Sequence, residues 1–310
     1  MFDIRLPPTV DPFPSPSLVS RMPPGNDRDT TPQAVSPLAP ERGPSMIDLL
    51  RLSRSRGFSP GDQVLYRHIA KLAGVSDSEK PISLLDVPCG RGAVVQFFTQ
   101  NYRVEASGID PNPDAIDVAE QRVRDAGLAT QVHLQTAQVD DLPFQDGVFD
   151  LTIGELGLAS STDPFRAVTE LARVTRSGGY VVLIGLIWTG HVEEERRRIL
   201  IQHVGAPPLM LVEWKQALRE ASVVNLRIED WSDQAFPFLV RGRTFTHLAE
   251  LSTLADNLSI LRRAWQRWGW RGLKGAVSRE HEIRTLLGPE RTIGVSLIVG
   301  TKNGANEETE

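Results

Sequence analysis

An acidic residue and two closely spaced glycines stand where a run of apolar residues ends. In the segment LLDVPCGRGAVV, Leu84 to Val95, Asp86 precedes Gly90 and Gly92. The apolar run predicts a buried strand, and the glycines predict a tight loop whose backbone a ligand can approach closely. A helix that starts after the loop would present free N–H groups to an anion, while the aspartate would receive an ammonium or order the loop. A ligand carrying both an ammonium and an anionic group would satisfy both features.

A second acidic residue follows the next predicted strand. Asp110 ends the segment VEASGID, about 20 residues beyond the glycine loop, where a carboxylate accepts hydrogen bonds from the two hydroxyls of a ribose. The ligand therefore resembles an adenosine-type nucleoside joined to a charged group, and NAD(H) and S-adenosylmethionine both fit. A dinucleotide loop favours a third glycine where Val95 stands, which weakens the NAD alternative and leaves it open.

Strand and helix patterns alternate on either side of these residues. Apolar and β-branched runs predict strands over 82–87, 104–110, 132–137, 148–154, 179–188, 223–231 and 292–301. Helical spacing covers 59–75, 113–127 and 163–179, the last ending in a Gly-Gly C-cap. This alternation predicts an α/β fold: a Rossmann-like, seven-stranded, mostly parallel sheet with helices on both faces and a helical cap.

The same patterns divide the chain into a tail, one domain and a short polar end. Residues 1–45 are rich in proline, have no sustained periodicity and are expected to be disordered. The domain is expected over 46–302, with its core at 82–188 and cap elements at about 189–222 and 232–290. Residues 303–310 form a polar tail.

Composition limits the classes of function. A net charge of −5 and an isoelectric point near 5.8 argue against a protein dominated by nucleic-acid contacts. A single cysteine excludes an internal disulfide framework and a cysteine-cluster metal site. No apolar run is long enough to predict stable membrane insertion, and no secretory signal is recognisable. A cytoplasmic protein is the expectation.

Four segments, taken in order, resemble the class I S-adenosylmethionine-dependent methyltransferases. They are LLDVPCGRG, GIDPNPDAIDVAEQR, VDDLPFQDGVFDLTI and ELARVTRSGGYVVL, and together they run from about Leu84 to Leu186. The pattern is most similar to small-molecule methyltransferases, including those of quinone and secondary-metabolite biosynthesis. The resemblance implies S-adenosylmethionine as the cofactor and needs no metal.

The resemblance also implies roles for single positions. Residues of the first loop would hold the methionine part of the cofactor, the end of the second strand its ribose, and the end of the third strand its adenine. In that order these positions are Asp86, Pro88, Gly90 and Gly92; Asp110 and Pro111; Gln138 and Val139. Pro88 replaces the family's first glycine, and Gln138 stands where an aspartate is usual.

Two residues are candidates for the acceptor side of the reaction. Glu155, just past the fourth strand, lies where the methyl group would point, so it would orient an acceptor, act as a base or hold the cofactor. His191 follows the fifth strand and could take a proton near neutral pH. Cys89 is expected to be structural or to line the cofactor rather than to act as a nucleophile.

A basic and aromatic segment, LRRAWQRWGWRGLKG at 261–275, is expected to form an amphipathic lid helix whose tryptophans pack on the core. An anionic or aromatic acceptor, RNA and a membrane surface are alternatives. The predicted function is methyl transfer to a small-molecule acceptor, with no nucleic-acid partner and a possible homodimer. A non-catalytic scaffold or sensor that binds S-adenosylmethionine and an NAD-dependent oxidoreductase remain the alternatives.

Overall fold

The computed structural model describes residues 43–50, 52, 62–232, 254–287 and 292–304. The predicted tail lies outside this range except for residues 43–45, which are buried. Ser45 and Asp48 exchange hydrogen bonds at the start of the first helix: the Ser45 hydroxyl donates to Asp48 Oδ2 at 2.7 Å, and the Asp48 N–H donates to Ser45 Oγ at 3.1 Å. The described part of the chain is therefore structured from Gly43 onward.

The elements follow the predicted alternation. The helices are α1 Met46–Leu50, α2 Asp62–Leu72, α3 Ala93–Asn101, α4 Pro113–Asp125, α5 Pro164–Val174, α6 Glu194–Val204, α7 Leu211–Glu220 and α8 Leu254–Leu287. The strands are β1 Ile82–Val87, β2 Val104–Asp110, β3 Val132–Thr136, β4 Phe149–Gly154, β5 Thr175–Trp188, β6 Leu209–Met210, β7 Val223–Asp230 and β8 Ile293–Lys302.

All these strands join one sheet in the order β3-β2-β1-β4-β5-β8-β7, with β6 paired to β5. Strands β1 to β5 are parallel, whereas β8 runs antiparallel between β5 and β7. The fold class is confirmed, and the two-residue strand β6 is the addition to the seven predicted strands. The strand order reverses between β1 and β4, and ligands of open α/β sheets bind beside such a reversal.

One helix ends earlier than predicted, so the expected Gly-Gly C-cap is wrong. Helix α5 stops at Val174, and β5 already pairs with β4 at Thr175. The register then shifts, because the next paired residue of β5 is Tyr180. Gly178 has φ +75° in the intervening segment, and a Cβ on Gly179 would lie 2.8 Å from the Asp150 carbonyl oxygen. These glycines therefore shape a bulge within β5.

Apolar side chains cover both faces of the sheet. One cluster joins α2 and α3 to the cap through Leu200 of α6 and Ile283 of α8. The other includes Val87, Ile109, Val139 and side chains of α5 and α7. The ends of β1 and β2 are thus supported from below by packed side chains.

The expectation that the tryptophans of α8 pack on the core is wrong for two of them. Trp265 is 51% exposed and Trp270 is 69% exposed. The helix is kinked between them at Gly269, where φ is 59° and ψ is −141°. One exposed ring therefore lies in each half of the helix, before and after the kink. Within the described residues, no helix is long and apolar enough to cross a membrane.

Candidate functional site

The site is built around Asp86, the next-to-last residue of the central strand β1. In the sheet it faces Gly108 of β2 on one side and Ile153 of β4 on the other. Its side chain is fully buried, and neither carboxylate oxygen has a hydrogen-bond partner within the described residues. A buried carboxylate without such bonds is costly, so its charge needs a compensating group.

Two further acidic side chains lie close enough to act on Asp86. Burial raises the pKa of Asp86 well above its ordinary value, and the charges of Glu155 and Asp110 raise it further. Glu155 and Asp110 are themselves buried, with 6% and 7% exposure. Three carboxyl groups from three strand ends therefore converge at one edge of the sheet. A cation bound there would lower the free energy of the ionised form of Asp86.

Asp110 also fixes the glycine loop. Its Oδ2 accepts the Gly90 N–H at 2.9 Å, and its Oδ1 accepts the Asn112 N–H at 2.9 Å. The Cys89 N–H donates to the Ile109 carbonyl at 2.7 Å. The loop after β1 is thus held against the end of β2 by hydrogen bonds. The Val87–Pro88 peptide bond at the start of the loop is cis, and Pro88 is buried.

The two glycines of the loop have different environments. Gly92 has φ +71°, and a Cβ there would lie 3.1 Å from the Ala119 Cβ, so this glycine allows α3 and α4 to approach each other. Gly90 has φ +52°, and a Cβ there would meet no atom within 4 Å. The backbone at Gly90 therefore borders open space, which a ligand can enter.

Cys89 lies beneath this loop with 3% exposure. Burial raises the pKa of the Cys89 thiol well above its ordinary value, and the charge of Asp86 adds to the effect. A Cβ on Gly108 would lie 2.9 Å from Cys89 Sγ, so the absence of that atom makes room for the thiol. A thiol held in its protonated form and packed in this way supports a structural role rather than a nucleophilic one.

Glu155 is placed by β4 and by a bond to β1. Its N–H donates to the Val87 carbonyl at 2.8 Å. It precedes a short 3₁₀ helix, Leu156–Ser160, but its side chain makes no capping hydrogen bond there. The charge of the Glu155 carboxyl raises the pKa of Asp86, so the two side chains are close enough to interact.

The remaining predicted residues follow strands β2, β3 and β5. Pro111 and Gln138 are exposed after β2 and β3, whereas Val139 is buried in the cluster beneath the loop. His191 is exposed between β5 and α6. Strand β5 continues from Leu183, which pairs with Gly154, to Trp188, and the five steps between these two residues span about 16 Å. His191 thus follows a long extension, and its loop must fold back for its ring to reach Glu155.

The structure adds a residue that sequence reasoning missed, Arg122. Arg122 of α4 donates to the Arg91 carbonyl of the glycine loop at 3.3 Å. Burial lowers the pKa of Arg122, and nearby Tyr66 of α2 acts in the opposite direction. Tyr66 is 3% exposed and packs on Phe97, with ring centroids 5.2 Å apart. The sequence contains no local signal for this support, because α2 and α4 are far from the loop along the chain.

The charges of the site favour one of the two nucleoside ligands. The sulfonium and ammonium of S-adenosylmethionine are cations that a group of three carboxyls attracts. The pyrophosphate of NAD is an anion that the same group repels. Asp86 has no hydrogen-bond partner in the described residues, and the backbone at Gly90 borders open space. Both features fit S-adenosylmethionine and disfavour a dinucleotide.

Comparisons with known proteins agree with this geometry. Residues 85–183 match a family model described as a methyltransferase domain. A ubiquinone/menaquinone biosynthesis C-methyltransferase of Geobacter sp. (strain M21) is 29% identical over 139 residues, which are 44% of this chain and 57% of that protein. The chain spans 36%, 62% and 57% of the length of three curated relatives that it matches.

Solved structures share the fold at low identity. A Haemonchus contortus phosphoethanolamine N-methyltransferase in complex with phosphomonomethylethanolamine and S-adenosylhomocysteine has TM-score 0.61 and 15% identity, covering 83% of this chain and 57% of that one. The [4+2]-cyclase SpnF has TM-score 0.60 and 18% identity, covering 81% and 85%. Since these proteins differ in named activity, this likeness establishes the architecture alone.

Proposed function

We propose that this chain, which carries a class I S-adenosylmethionine-dependent methyltransferase domain, methylates a small-molecule acceptor by in-line displacement at the carboxyl end of β1. The observation that carries the proposal is the buried carboxyl of Asp86, whose pKa is raised by burial and by Glu155 and Asp110. A cationic ligand would offset this cost, and the match over residues 85–183 names the domain.

We assign the binding residues roles that their positions in the fold support. Asp86 receives the ammonium of the cofactor, and Gly90 leaves room for it. Asp110, held at the end of β2 where its carboxylate binds the Gly90 and Asn112 N–H groups, receives the ribose hydroxyls. Gln138, exposed after β3, accepts from the adenine amine, and buried Val139 supports the ring from below. Pro88, Gly92 and Pro111 shape the loops that carry these groups.

The chemical step places little demand on the protein beyond positioning. S-adenosylmethionine supplies a methyl group on a sulfonium, so an acceptor atom that attacks in line releases S-adenosylhomocysteine. The chain contributes by holding the acceptor at near-attack distance and by excluding water. Glu155, buried beside Asp86, orients the acceptor. His191 serves as a proton acceptor only if its loop closes over the site.

The acceptor class is proposed from the relatives. One similar protein is named as a methyltransferase acting at carbon and another as one acting at nitrogen, so the fold accommodates different nucleophiles. Both names denote action on small molecules. A position in the cytoplasm, the absence of a nucleic-acid partner and a homodimer stay predictions.

Calorimetric titration with S-adenosylmethionine, S-adenosylhomocysteine and NADH tests the proposal. We expect binding of both sulfur nucleosides and none of NADH. Methyl transfer is then measured with labelled S-adenosylmethionine on a panel of amines, phenols and quinols. Binding of NADH alone would overturn the proposal, and binding of S-adenosylmethionine without turnover of any acceptor would favour the scaffold or sensor alternative.

A further inference from the structure

The outer face of α8 carries an exposed apolar stripe. Leu258, Trp265, Trp270 and Val277 are 66%, 51%, 69% and 63% exposed. Leu258 and Trp265 are seven residues apart, as are Trp270 and Val277, so each pair lies on one side of its half of the helix. The rings of Trp265 and Trp270 meet across the kink with centroids 6.3 Å apart. The two halves therefore form one continuous surface.

Helix α8 is basic in a chain of net charge −5: it has seven basic residues and three acidic ones, Asp256, Glu280 and Glu282. Residues 257–279 contain six basic residues and no acidic one. Four of the six are exposed, and they are Arg262, Arg267, Arg271 and Lys274. Arg271 and Lys274 also line a cavity of about 720 Å³ between α6 and α8. Exposed positive charge therefore lies along the same helix as the exposed apolar side chains, and at Arg271 and Lys274 it lies on the edge that faces α6.

The other side of the helix is attached to the domain. Arg263 donates to the Leu52 carbonyl at 2.8 Å, and Arg279 donates to the Pro44 carbonyl at 2.9 Å. Ala264 and Ile283 are fully buried. Because these contacts fix the inner side, the tryptophans cannot turn into the core without breaking them.

We propose that the outer face of α8, from Leu258 to Val277, docks the protein reversibly on an anionic lipid bilayer. Tryptophan rings favour the boundary between lipid headgroups and acyl chains, and exposed arginines and lysines attract lipid phosphates. The two tryptophan rings meet edge to face, at an interplanar angle of 86°. They therefore offer no parallel pair of faces for stacked bases, so the arrangement favours a bilayer over RNA.

Vesicle sedimentation tests this surface with the full chain. Vesicles of phosphatidylcholine alone are compared with vesicles of phosphatidylcholine and an equal amount of phosphatidylglycerol. We expect binding to the anionic vesicles only, a blue shift of tryptophan fluorescence, and weaker binding at high salt. The variant Arg267→Gln/Arg271→Gln is expected to bind about 30-fold more weakly, because each basic side chain near an anionic surface strengthens binding about fivefold.

Two further variants distinguish docking through this face from a general loss of folding. Trp265→Ser/Trp270→Ser is expected to lose the blue shift and most of the binding. The matched control, Val212→Ser/Arg198→Gln, changes an exposed valine of α7 and an exposed arginine of α6 and should bind like the wild type. All variants should keep the wild-type affinity for S-adenosylmethionine, which lies outside this proposal. The membrane proposal would be overturned if the protein bound both kinds of vesicle equally or bound neither. It would also be overturned if the tryptophan variant bound like the wild type, or if a second copy of the chain or RNA covered this face instead.

Discussion

The cofactor end of the sheet and the outer face of α8 carry opposite charges in opposite surroundings. Asp86, Asp110 and Glu155 are buried at the strand ends, where Asp86 makes no hydrogen bond within the described residues. The basic side chains of α8, such as Arg267 and Lys274, are exposed beside two exposed tryptophans. Salt and water screen the second group but hardly reach the first.

This difference indicates how each region would select a ligand. Burial of an ionised carboxyl group costs desolvation free energy, so such a group favours one small cation that fits between its neighbours. An exposed basic face gains a little from each charge and favours an extended anionic surface. Variants that change the charge of either region, and changes of pH or salt, test this difference.

The largest expected effect is that of Asp86→Asn on cofactor affinity. This change keeps the shape of the side chain and breaks no hydrogen bond that Asp86 makes within the described residues. Loss of a charged partner for the ammonium should raise the Kd for S-adenosylmethionine about 100-fold, since bonds between charged groups contribute about 1.5–3 kcal/mol. Titration calorimetry measures this. Asp117→Asn, exposed on α4, is the control and should bind normally; equal affinity of both variants would remove Asp86 from the site.

A smaller effect is expected on the inner side of α8. Arg279 is 3% exposed and donates to the Pro44 carbonyl at 2.9 Å and to Glu282 at 2.8 Å. Arg279→Gln should lower the free energy of unfolding by about 1–3 kcal/mol, measured by urea denaturation. Arg262→Gln, on the exposed face, should change it by less than about 0.5 kcal/mol. Equal effects would show that the two sides of α8 do not differ.

The pH dependence of binding follows from the raised pKa of Asp86. In the ligand-free protein a raised pKa stabilises the fold at low pH, and this contribution is lost as pH rises through the folded-state pKa. The ammonium of the cofactor favours the ionised carboxyl. Affinity should therefore rise with pH while the carboxyl of the free protein is still protonated, by at most about tenfold per pH unit, and level off above the pKa of Asp86 in the free folded protein.

Calorimetry in buffers of different ionisation enthalpy checks this dependence, because binding below the folded-state pKa should release a proton. Asp86→Asn should lose both the proton release and the pH dependence. A pH-independent affinity in the wild type would mean that Asp86 does not titrate on binding.

The smallest effect should be that of salt on cofactor binding. Because the three carboxyls are buried, raising the salt concentration should change the Kd for S-adenosylmethionine by less than about twofold. Binding to anionic vesicles should fall steeply over the same range. If salt weakened both kinds of binding to a similar extent, the proposed contrast between the two regions would be wrong.

Much of the fold was predictable because its signals are local. The strands 82–87 and 104–110 were predicted with the observed bounds, since their apolar runs end at turn residues. The end of α5 was not, because Gly178 and Gly179 resemble a C-cap locally but serve a bulge opposite Asp150. Strand β6 has only two residues, and so short a strand has no periodicity to detect.

The sequence by itself determined the strand-and-helix alternation, the glycine loop and the acidic residues at the strand ends, because each depends on neighbours along the chain. Only the tertiary structure decided that Glu155 approaches Asp86, that Arg122 supports the loop, and that Trp265 and Trp270 face outward. The physical reason is that burial and charge interactions depend on distances in space. Strand pairing and the kink at Gly269 set those distances, and the order of residues does not.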